Sequence, residues 1–328
     1  MNARPTSFQV FHSWRDLAEA DRGAAIAWGN FDGLHPGHRR VIADAAKAAS
    51  RLGAPLGVAS LDPHPQRLFH PESPPFHLTN SHQFARALEA LGVARLYLVP
   101  FGQQMASLSD RDFVKDILVG GLGVRHVAVG FDVTFGKDRT GGPNSMRRYG
   151  EEFGFSVSVT QEVDASDGIK ISSTAIRELL QRGKPAEAAR MLGRPFAIEG
   201  LVQKGRQLGR KLGFPTANVP LGEYVAPKFG VYATLTHLKD GRTRGGVANI
   251  GVNPTTGLVD ARLEVWMFDF DEDIYGEVIE TELIEFLRPE ETFRDAAGNF
   301  DVPAMVAQVH KDAANAREVL ARRGLYPT

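Results

Sequence analysis

The densest group of potentially reactive residues lies in the segment GNFDGLHPGH, between Gly29 and His38. His35 and His38 are three residues apart, and Pro36 between them favours the first turn of a helix. Residues three apart share one face of a helix, so both imidazoles can donate hydrogen bonds to the same phosphate. The free amides of a helix start and the nearby glycines add to such an anion site. The segment therefore predicts a phosphate-binding turn that contains Gly29, Asn30, Phe31, Asp32, Gly33, His35, Gly37 and His38.

A second cluster, KISSTAIR, runs from Lys170 to Arg177 and places hydroxyl groups between two cations at a predicted helix start. Phosphoryl-type transfer is catalysed chiefly by positioning and by neutralisation of charge. Lys170 and Arg177 can supply the positive charge that a triphosphate or a leaving pyrophosphate needs. The cluster therefore predicts a second part of a nucleotide site.

The basic stretch KGRQLGRKLGFPTANVP, at residues 204–220, is the main chemical motif of the C-terminal half. It is not a P-loop, because no Gly-Lys-Ser/Thr sequence follows a suitable glycine. Its glycines and cations can still wrap phosphates, and for this role we single out Gly205, Lys211 and Gly213. Thr216 and Asn218, two apart on a strand, project oxygen atoms from one face and are suitable ligands or neighbours for Mg²⁺.

Glu264 is our candidate for a catalytic base in the strand RLEVWMF. Its side chain lies on the face opposite the aliphatic residues Leu263, Val265 and Met267, because side chains alternate along a strand. A kinase that acts on an alcohol needs a carboxylate to accept the hydroxyl proton. The spacing ranks Glu264 only modestly above the other nearby carboxylates, which are Asp269, Asp271, Glu272 and Asp273.

Each of these motifs also has a structural interpretation. The histidine pair is also compatible with a simple turn or a metal site, although no further metal ligand with suitable spacing is evident. Ser172 or Ser173 is sufficient to cap a helix. The basic stretch fits an exposed hairpin, and a carboxylate on a strand commonly faces solvent.

The pattern of apolar segments indicates two architectures. In the N-terminal half, short apolar runs alternate with helical patterns, which predicts a doubly wound parallel sheet with ligands at the carboxyl ends of its strands. In the C-terminal half, many short strands separated by glycine and proline predict an antiparallel barrel, closed by a helix at Asp301 to Arg323. We place the domain boundary between residues 187 and 188. The predicted strands are Ala24–Trp28, Leu56–Ser60, Arg95–Val99, His126–Gly130 and Phe155–Thr160, then Phe196–Val202, Val231–His237, Arg244–Ile250, Arg262–Phe268 and Gly276–Phe286.

The composition limits the class of protein. The chain has 328 residues, of which 43% are hydrophobic and 23% charged, as in ordinary folded proteins. Its net charge of -1 provides no global positive field for a nucleic acid, and it has no cysteine for disulfide or thiolate chemistry. No signal-peptide pattern or membrane-spanning apolar run is evident. We expect a cytoplasmic protein that acts on small molecules, without nucleic-acid or membrane partners. The sequence does not determine its oligomeric state, and weak self-association is compatible with it.

Taken together, the motifs resemble those of the bacterial bifunctional riboflavin kinase/FAD synthetase family. The first histidine motif is GNFDGLHPGH, the loop after the fourth strand is GFDVTFGKDRTG, and the distal motif is ISSTAIR. The kinase signature is GRKLGFPTAN, followed by GVANIGVNPT and EFLRPEETF. The resemblance covers nearly the whole chain in the expected order. It implies a Rossmann-like nucleotidyltransferase sheet followed by a riboflavin kinase-like barrel.

The resemblance also implies two activities and the residues that carry them. The barrel would phosphorylate riboflavin to FMN, and the sheet domain would adenylylate FMN to FAD, both with ATP and Mg²⁺. His35 and His38 would bind ATP phosphates near Asn30, and Glu264 would activate the riboflavin hydroxyl. The pyrophosphate side would be stabilised by Ser173, Thr174 and Arg177. In the kinase, Mg²⁺ and ATP would be held by Thr216 and Asn218. The residues near the flavin would be Asp62, Pro63, His64, Pro65, Phe131 and Phe135.

Departures from the family pattern and two rival functions accompany this resemblance. Lys170 stands where the family often has arginine, which exchanges a planar bidentate group for a point charge, and Ala175 stands where many relatives have a larger residue. The first rival is nucleotidyl transfer to another phosphate-bearing substrate, since the histidine motif is shared between such families. The second is a flavin-binding or regulatory protein that has lost catalysis.

Overall fold

The computed structural model describes residues 7–162, 170–205, 209, 212–252 and 261–326. The chain forms two compact units. The N-terminal unit contains Met1–Pro74 and Ser81–Ser172, and the C-terminal unit contains Pro75–Asn80 and Ser173–Thr328. The boundary that we placed between residues 187 and 188 separates the two predicted catalytic domains, and it stays a prediction.

The N-terminal unit is built on a six-stranded sheet in which every pair of neighbouring strands is parallel. Its strand order is β1-β4-β3-β2-β5-β6, which confirms the predicted doubly wound fold. The short β1, which pairs with β4, was not predicted. The strands are β1 (Gln9–Phe11), β2 (Ala25–Trp28), β3 (Leu56–Asp62), β4 (Arg95–Pro100), β5 (His126–Gly130) and β6 (Ser156–Thr160).

Both faces of this sheet are buried, as expected for strands with continuous apolar runs. Alternate residues of β2 enter two hydrophobic clusters: Ile26 and Trp28 belong to one, and Ala25 and Ala27 to the other. The helices of this unit are α1 (Pro36–Leu52), α2 (Pro65–Phe69), α3 (Ser81–Ala90), α4 (Gln103–Ala106), α5 (Asp110–Asp112), which continues as a π-helix at Phe113–Gly121, and α6 (Pro143–Phe153).

The C-terminal unit is a six-stranded antiparallel sheet with the order β7-β12-β9-β10-β11-β8. Gln203, just beyond β7, forms an antiparallel bridge with Asn218 of β8, so the two edges of the sheet meet in a nearly closed barrel, as predicted. The strands are β7 (Phe196–Leu201), β8 (Ala217–Pro220), β9 (Gly230–His237), β10 (Thr243–Val252), β11 (Ala261–Met267) and β12 (Val278–Arg288).

The described residues of the C-terminal unit also form the helices α7 (Ser173–Gln181) and α8 (Pro185–Leu192) and the predicted closing helix α9 (Val302–Arg322). Helix α9 covers the outer face of the barrel, where Ala316 packs in one cluster with Ala233. A largely buried ion pair supports this packing, because Arg288 Nη2 lies 2.7 Å from Asp312 Oδ2. No helix in the described ranges is both long and apolar enough to cross a membrane.

A segment of six residues, Pro75–Asn80, which we call the strap, belongs to the C-terminal unit although its neighbours in the sequence belong to the N-terminal unit. Leu78 is buried in the core of the barrel unit. The His77 amide donates to Glu223 O at 2.9 Å, and the Val225 amide donates to His77 O at 2.9 Å. The strap is thus paired to the C-terminal unit like a short strand.

A buried histidine makes the stability of the N-terminal unit depend on pH. The ring of His126 on β5 lies between two hydroxyl groups, with Nδ1 2.8 Å from Ser156 Oγ and Nε2 3.0 Å from Ser158 Oγ. Burial, assisted by the positive charge of Arg51, lowers the pKa of His126 from 6.5 to about 4. The unfolded chain therefore binds the proton more readily than the folded chain below pH 6.5.

We expect the free energy of unfolding of this unit to fall as pH decreases from about 6.5 to about 4, because the folded ring resists protonation. The loss that depends on His126 should reach about 1 to 2 kcal/mol by pH 4.5, with allowance for solvent screening. Urea titrations of Trp266→Phe protein would follow Trp14 and Trp28, both of which lie in the N-terminal unit. His126→Gln in the same background is the control. If the two proteins lose stability in parallel below pH 6.5, His126 is not the cause.

Candidate functional site

The turn after β2 is shaped by residues in the left-handed backbone region. Phe31 has φ 47°, Gly33 has φ 84° and Leu34 has φ 47°. This conformation is costly for residues with a side chain, and burial of Phe31 and Leu34 in the core offsets the cost. The turn thereby brings the chain to the start of α1 at the carboxyl edge of the sheet.

The two histidines of this turn lie against each other. The rings of His35 and His38 are stacked, with centroids 3.6 Å apart and planes 23° from parallel. His35 is the N-cap of α1, and its Nδ1 accepts a hydrogen bond from the His38 amide at 3.3 Å. In a neutral ring the proton of His35 is then on Nε2, which makes that nitrogen the donor. A stacked pair of imidazoles at a helix start is suited to bind an anion.

Neighbouring residues hold the two rings in place. A Cβ atom on Gly37 would lie 3.1 Å from Cε1 of His35, so glycine leaves the room that this ring needs. The edge of Phe31 packs against His38, with ring centroids 5.4 Å apart. Asp32 is buried, whereas Asn30 is exposed, and Gly29 donates its amide to Ala59 O at 3.2 Å.

The residues predicted to lie near the flavin occupy different environments in the N-terminal unit. Asp62 and Pro63, at the end of β3, line a cleft of about 550 Å³. His64 caps α2 by accepting a hydrogen bond from the Gln66 amide at 3.2 Å, and Pro65 is the first residue of that helix.

The two phenylalanines of the loop after β5 also differ from each other. Phe135 is buried, and its ring centroid lies 5.6 Å from that of Phe113. The Phe131 ring lies under the ammonium group of Lys170, which is 4.8 Å from the ring centroid. Lys170 Nζ also lies 2.9 Å from Glu162 Oε1. The cation of the distal motif is thus held next to a residue of the predicted flavin side.

From Ser173 onward the distal motif belongs to the C-terminal unit, where Ser173 and Thr174 open α7. Arg177 contacts the strap: its Nε donates to Phe76 O at 2.6 Å, and its guanidinium lies 5.4 Å from the centroid of the Phe76 ring. The hydrogen bond to Phe76 O orients the guanidinium group of Arg177.

The candidate kinase site lies on one face of the barrel. On adjacent strands, Glu264 of β11 is directly opposite Asn218 of β8 on one side and Asn249 of β10 on the other. Residues in direct register project to the same face, so the three polar side chains form a row across the sheet. Asn218 is buried and donates from Nδ2 to Thr216 O at 3.3 Å.

The backbone of Gly205 closes over Asn218. A Cβ atom at this position would lie 2.7 Å from Asn218 Nδ2 and 2.8 Å from Oδ1. Gly213 adopts a left-handed conformation, with φ 92°, just before this part of the site. Lys211, the third residue predicted to bind phosphate in this stretch, lies outside the described residues.

Three of the other carboxylates near β11 have partners in the structure. Asp269 accepts a hydrogen bond from the Tyr326 hydroxyl, and Glu272 forms a two-pronged ion pair with Arg242. Asp273 Oδ1 accepts a hydrogen bond from the Tyr275 amide at 3.1 Å.

The donors around Asn218 fit a magnesium ion. Thr216 and Asn218 line one small cavity, of about 50 Å³, together with Asp271 and Asp273. All four offer oxygen atoms, which Mg²⁺ prefers, and Mg²⁺ is usually bound by few protein ligands together with water and nucleotide phosphates. Among the described residues, no cluster of three or more His, Cys, Asp or Glu side chains forms a complete metal site.

Two polar residues of this region were not singled out from the sequence. Asn249 Nδ2 donates to Glu290 Oε1 at 3.1 Å, which connects the row on the barrel to the segment after β12. Both residues fall in stretches that resemble the family, but their contact depends on the register of distant strands, which the sequence does not display.

Comparison with known proteins agrees with both halves of this description. A family model described as FAD synthetase matches residues 17–175, and one described as riboflavin kinase matches residues 192–320. A bifunctional riboflavin kinase/FMN adenylyltransferase from Pseudomonas fluorescens is 39% identical over 95% of this chain and 98% of its own length. The protein of the same description from Escherichia coli K12 is 37% identical over 92% of this chain and 95% of its own.

A solved structure has the same fold over nearly the whole chain. It is a crystal structure from Streptococcus pneumoniae, titled as a macrolide-efflux protein, with a TM-score of 0.80 and 30% identity, and the match covers 96% of this chain and 98% of that one. Because both domains match in the predicted order and the bifunctional relatives align over nearly their full length, this chain belongs to the bifunctional riboflavin kinase/FMN adenylyltransferase family.

Proposed function

We propose that the C-terminal unit transfers the γ-phosphate of ATP to riboflavin and that the N-terminal histidine pair serves the transfer of AMP from a second ATP to FMN. The observation that carries this proposal is that each unit has its own polar arrangement suited to a different nucleophile. Glu264 stands in a row with Asn218 and Asn249 in the barrel, and His35 is stacked on His38 in the sheet unit.

In the kinase reaction the nucleophile is a neutral alcohol. The terminal ribityl oxygen attacks the γ-phosphorus of ATP, the bond from that phosphorus to the bridging oxygen breaks, and ADP leaves. Glu264 accepts the hydroxyl proton, and Gly205, Lys211 and Gly213 contribute to the phosphate loop. Thr216 and Asn218 would hold Mg²⁺, which when bound would neutralise phosphate charge.

In the adenylyltransferase reaction the nucleophile is already an anion. A phosphate oxygen of FMN attacks the α-phosphorus of ATP, and pyrophosphate leaves with the electrons of the broken P–O bond. No proton has to be removed, so the residues have to overcome the repulsion between anions. We assign this task to His35 and His38 with the amides of their turn, and to Lys170, Ser173, Thr174 and Arg177 on the pyrophosphate side.

Incubation of purified protein with riboflavin, ATP and Mg²⁺ tests both activities. FMN should appear first and FAD later, with ADP and pyrophosphate as the other products. If riboflavin is left unchanged while another phosphate-bearing compound receives a nucleotide, the chain is a different nucleotidyltransferase. Binding of flavin without turnover would instead indicate a regulatory protein.

We expect His38→Ala to lower the rate of FAD formation from supplied FMN at least about tenfold, a loss of about 1.4 kcal/mol of transition-state stabilisation. The variant loses one phosphate donor and the ring stacked on His35, whereas FMN formation from riboflavin should persist. His70→Ala, at an exposed histidine of the same unit, is the matched control. An equal loss of both activities would argue against separate sites.

Glu264→Gln keeps the size of the side chain but cannot accept a proton at neutral pH. We expect kcat for riboflavin phosphorylation to fall about 100-fold or more, in the range usual for loss of a general base. FAD formation from supplied FMN should be retained. Glu282→Gln, at another half-buried carboxylate on a strand, is the control. Undiminished kinase turnover would remove Glu264 from the mechanism.

Gly205→Ala would place a methyl group against the amide of Asn218. We expect kcat/KM for ATP in the kinase reaction to fall at least about tenfold, equivalent to about 1.4 kcal/mol, because Asn218 has to move. FAD formation from FMN is the internal control, and a thermal melt would show whether the barrel stays folded. A folded variant with normal kinase kinetics would show that the position of Asn218 is not critical.

A further inference from the structure

The cleft at the carboxyl edge of the N-terminal sheet has a wall that comes from the start of the chain. Its volume of about 550 Å³ is in the range of small-molecule sites. Residues that follow β1, β3 and β4 line it, together with residues of the π-helix. Its apolar lining is supplied by Trp14, Phe101, Met105, Leu108 and Ile117.

The fold provides a specific seat for Trp14. A Cβ atom on Gly121, the last residue of the π-helix, would lie 2.6 Å from Trp14 O and 2.7 Å from Trp14 Cε3. Any side chain at position 121 would therefore displace the tryptophan. Trp14 also packs against the hydrophobic cluster under the cleft. The indole of Trp14 is therefore held by close contact with Gly121 and also forms part of the wall of the cleft.

Arg15 adds a cation to the same wall. Its guanidinium lies over the Trp14 ring, with Cζ 4.6 Å from the ring centroid. The Arg15 amide donates to Ser13 Oγ at 2.9 Å, which forms a tight turn at this point of the chain. Asp62 and Asp116 also line the cleft and supply carboxylates. The cleft thus combines an aromatic surface with hydrogen-bond donors and acceptors.

The flavin of FMN matches this combination better than the adenine of ATP. Its three-ring system is large and flat, with carbonyl oxygens and an N–H group at its edge, and it carries a hydroxylated chain. In the sheet, β3 lies directly beside β2, whose turn holds the histidine pair, and adjacent strands are about 4.8 Å apart. A flavin in the cleft can therefore extend its ribityl phosphate towards that turn.

We infer that Trp14 and Arg15 are specificity-determining residues for the flavin ring of FMN in the adenylylation reaction. Trp14 stacks on the ring system, and Arg15 donates to its carbonyl oxygens. Both residues precede the range, 17–175, that the FAD synthetase model matches. The inference rests on the proposed function of the N-terminal unit.

The experiment measures KM for FMN and for ATP in FAD formation by Trp14→Ala, Trp14→Phe and Arg15→Gln proteins. We expect KM for FMN to rise about tenfold in Trp14→Ala, in keeping with the contribution of one aromatic stacking contact. KM for ATP and riboflavin phosphorylation should stay the same. Trp14→Phe should restore most of the affinity, and Arg15→Gln should raise KM for FMN about threefold, the effect of losing one hydrogen bond.

Gly121→Ala and Arg15→Gln separate loss of the Trp14 contact from loss of folding. Gly121→Ala should raise KM for FMN in the same direction as Trp14→Ala, because it displaces the indole without removing it. Arg15 is exposed, so Arg15→Gln gives an answer even where Trp14→Ala does not fold. An unchanged KM for FMN in folded variants, or an equal rise in KM for ATP, would overturn this inference. Failure of the unmodified protein to convert FMN to FAD would refute the proposed function itself.

Discussion

Close approach between backbone and side chain at three glycines is the constraint on which the proposed sites of this protein depend. A Cβ atom on Gly37 would crowd the His35 ring, one on Gly205 would overlap the Asn218 amide, and one on Gly121 would overlap Trp14. In each case a side chain with a polar or aromatic group is held against main chain, where few alternative positions are open to it. Such seating reduces the entropy that the side chain loses when it binds a ligand.

The two architectures meet the same demand for anion binding in different ways. In the parallel sheet the turn after a strand opens a helix, so main-chain amides and the helix dipole face the ligand at the carboxyl edge. In the barrel the proposed site is a row of side chains on adjacent strands in register, formed by Asn218, Glu264 and Asn249. The proposed site of the sheet unit therefore combines backbone amides with imidazole donors, whereas the proposed site of the barrel includes side-chain oxygens suited to a cation.

Periodic patterns in the sequence predicted most of the fold, but they did not predict contacts between residues that are far apart in the chain. The buried strands from β2 to β6 and from β9 to β12 appear close to their predicted bounds, because continuous or alternating apolar residues reveal them. β1 has only three residues, and the π-helix follows a pattern that also suits an α-helix. The strap pairs with residues more than 140 positions away, and the contact of Asn249 with Glu290 requires the register of the barrel.

The protonation state of the nucleophile explains why the two sites differ so much. An alcohol must lose a proton as it attacks, so a carboxylate in the polar row of the barrel can assist by accepting that proton. A phosphate monoester is already ionised at neutral pH, and a further carboxylate beside it would add repulsion. Imidazoles stacked at a helix start supply donors without that penalty. A chain that carries out both reactions therefore gains from keeping them at separate sites, since the group that assists the first transfer would oppose the second.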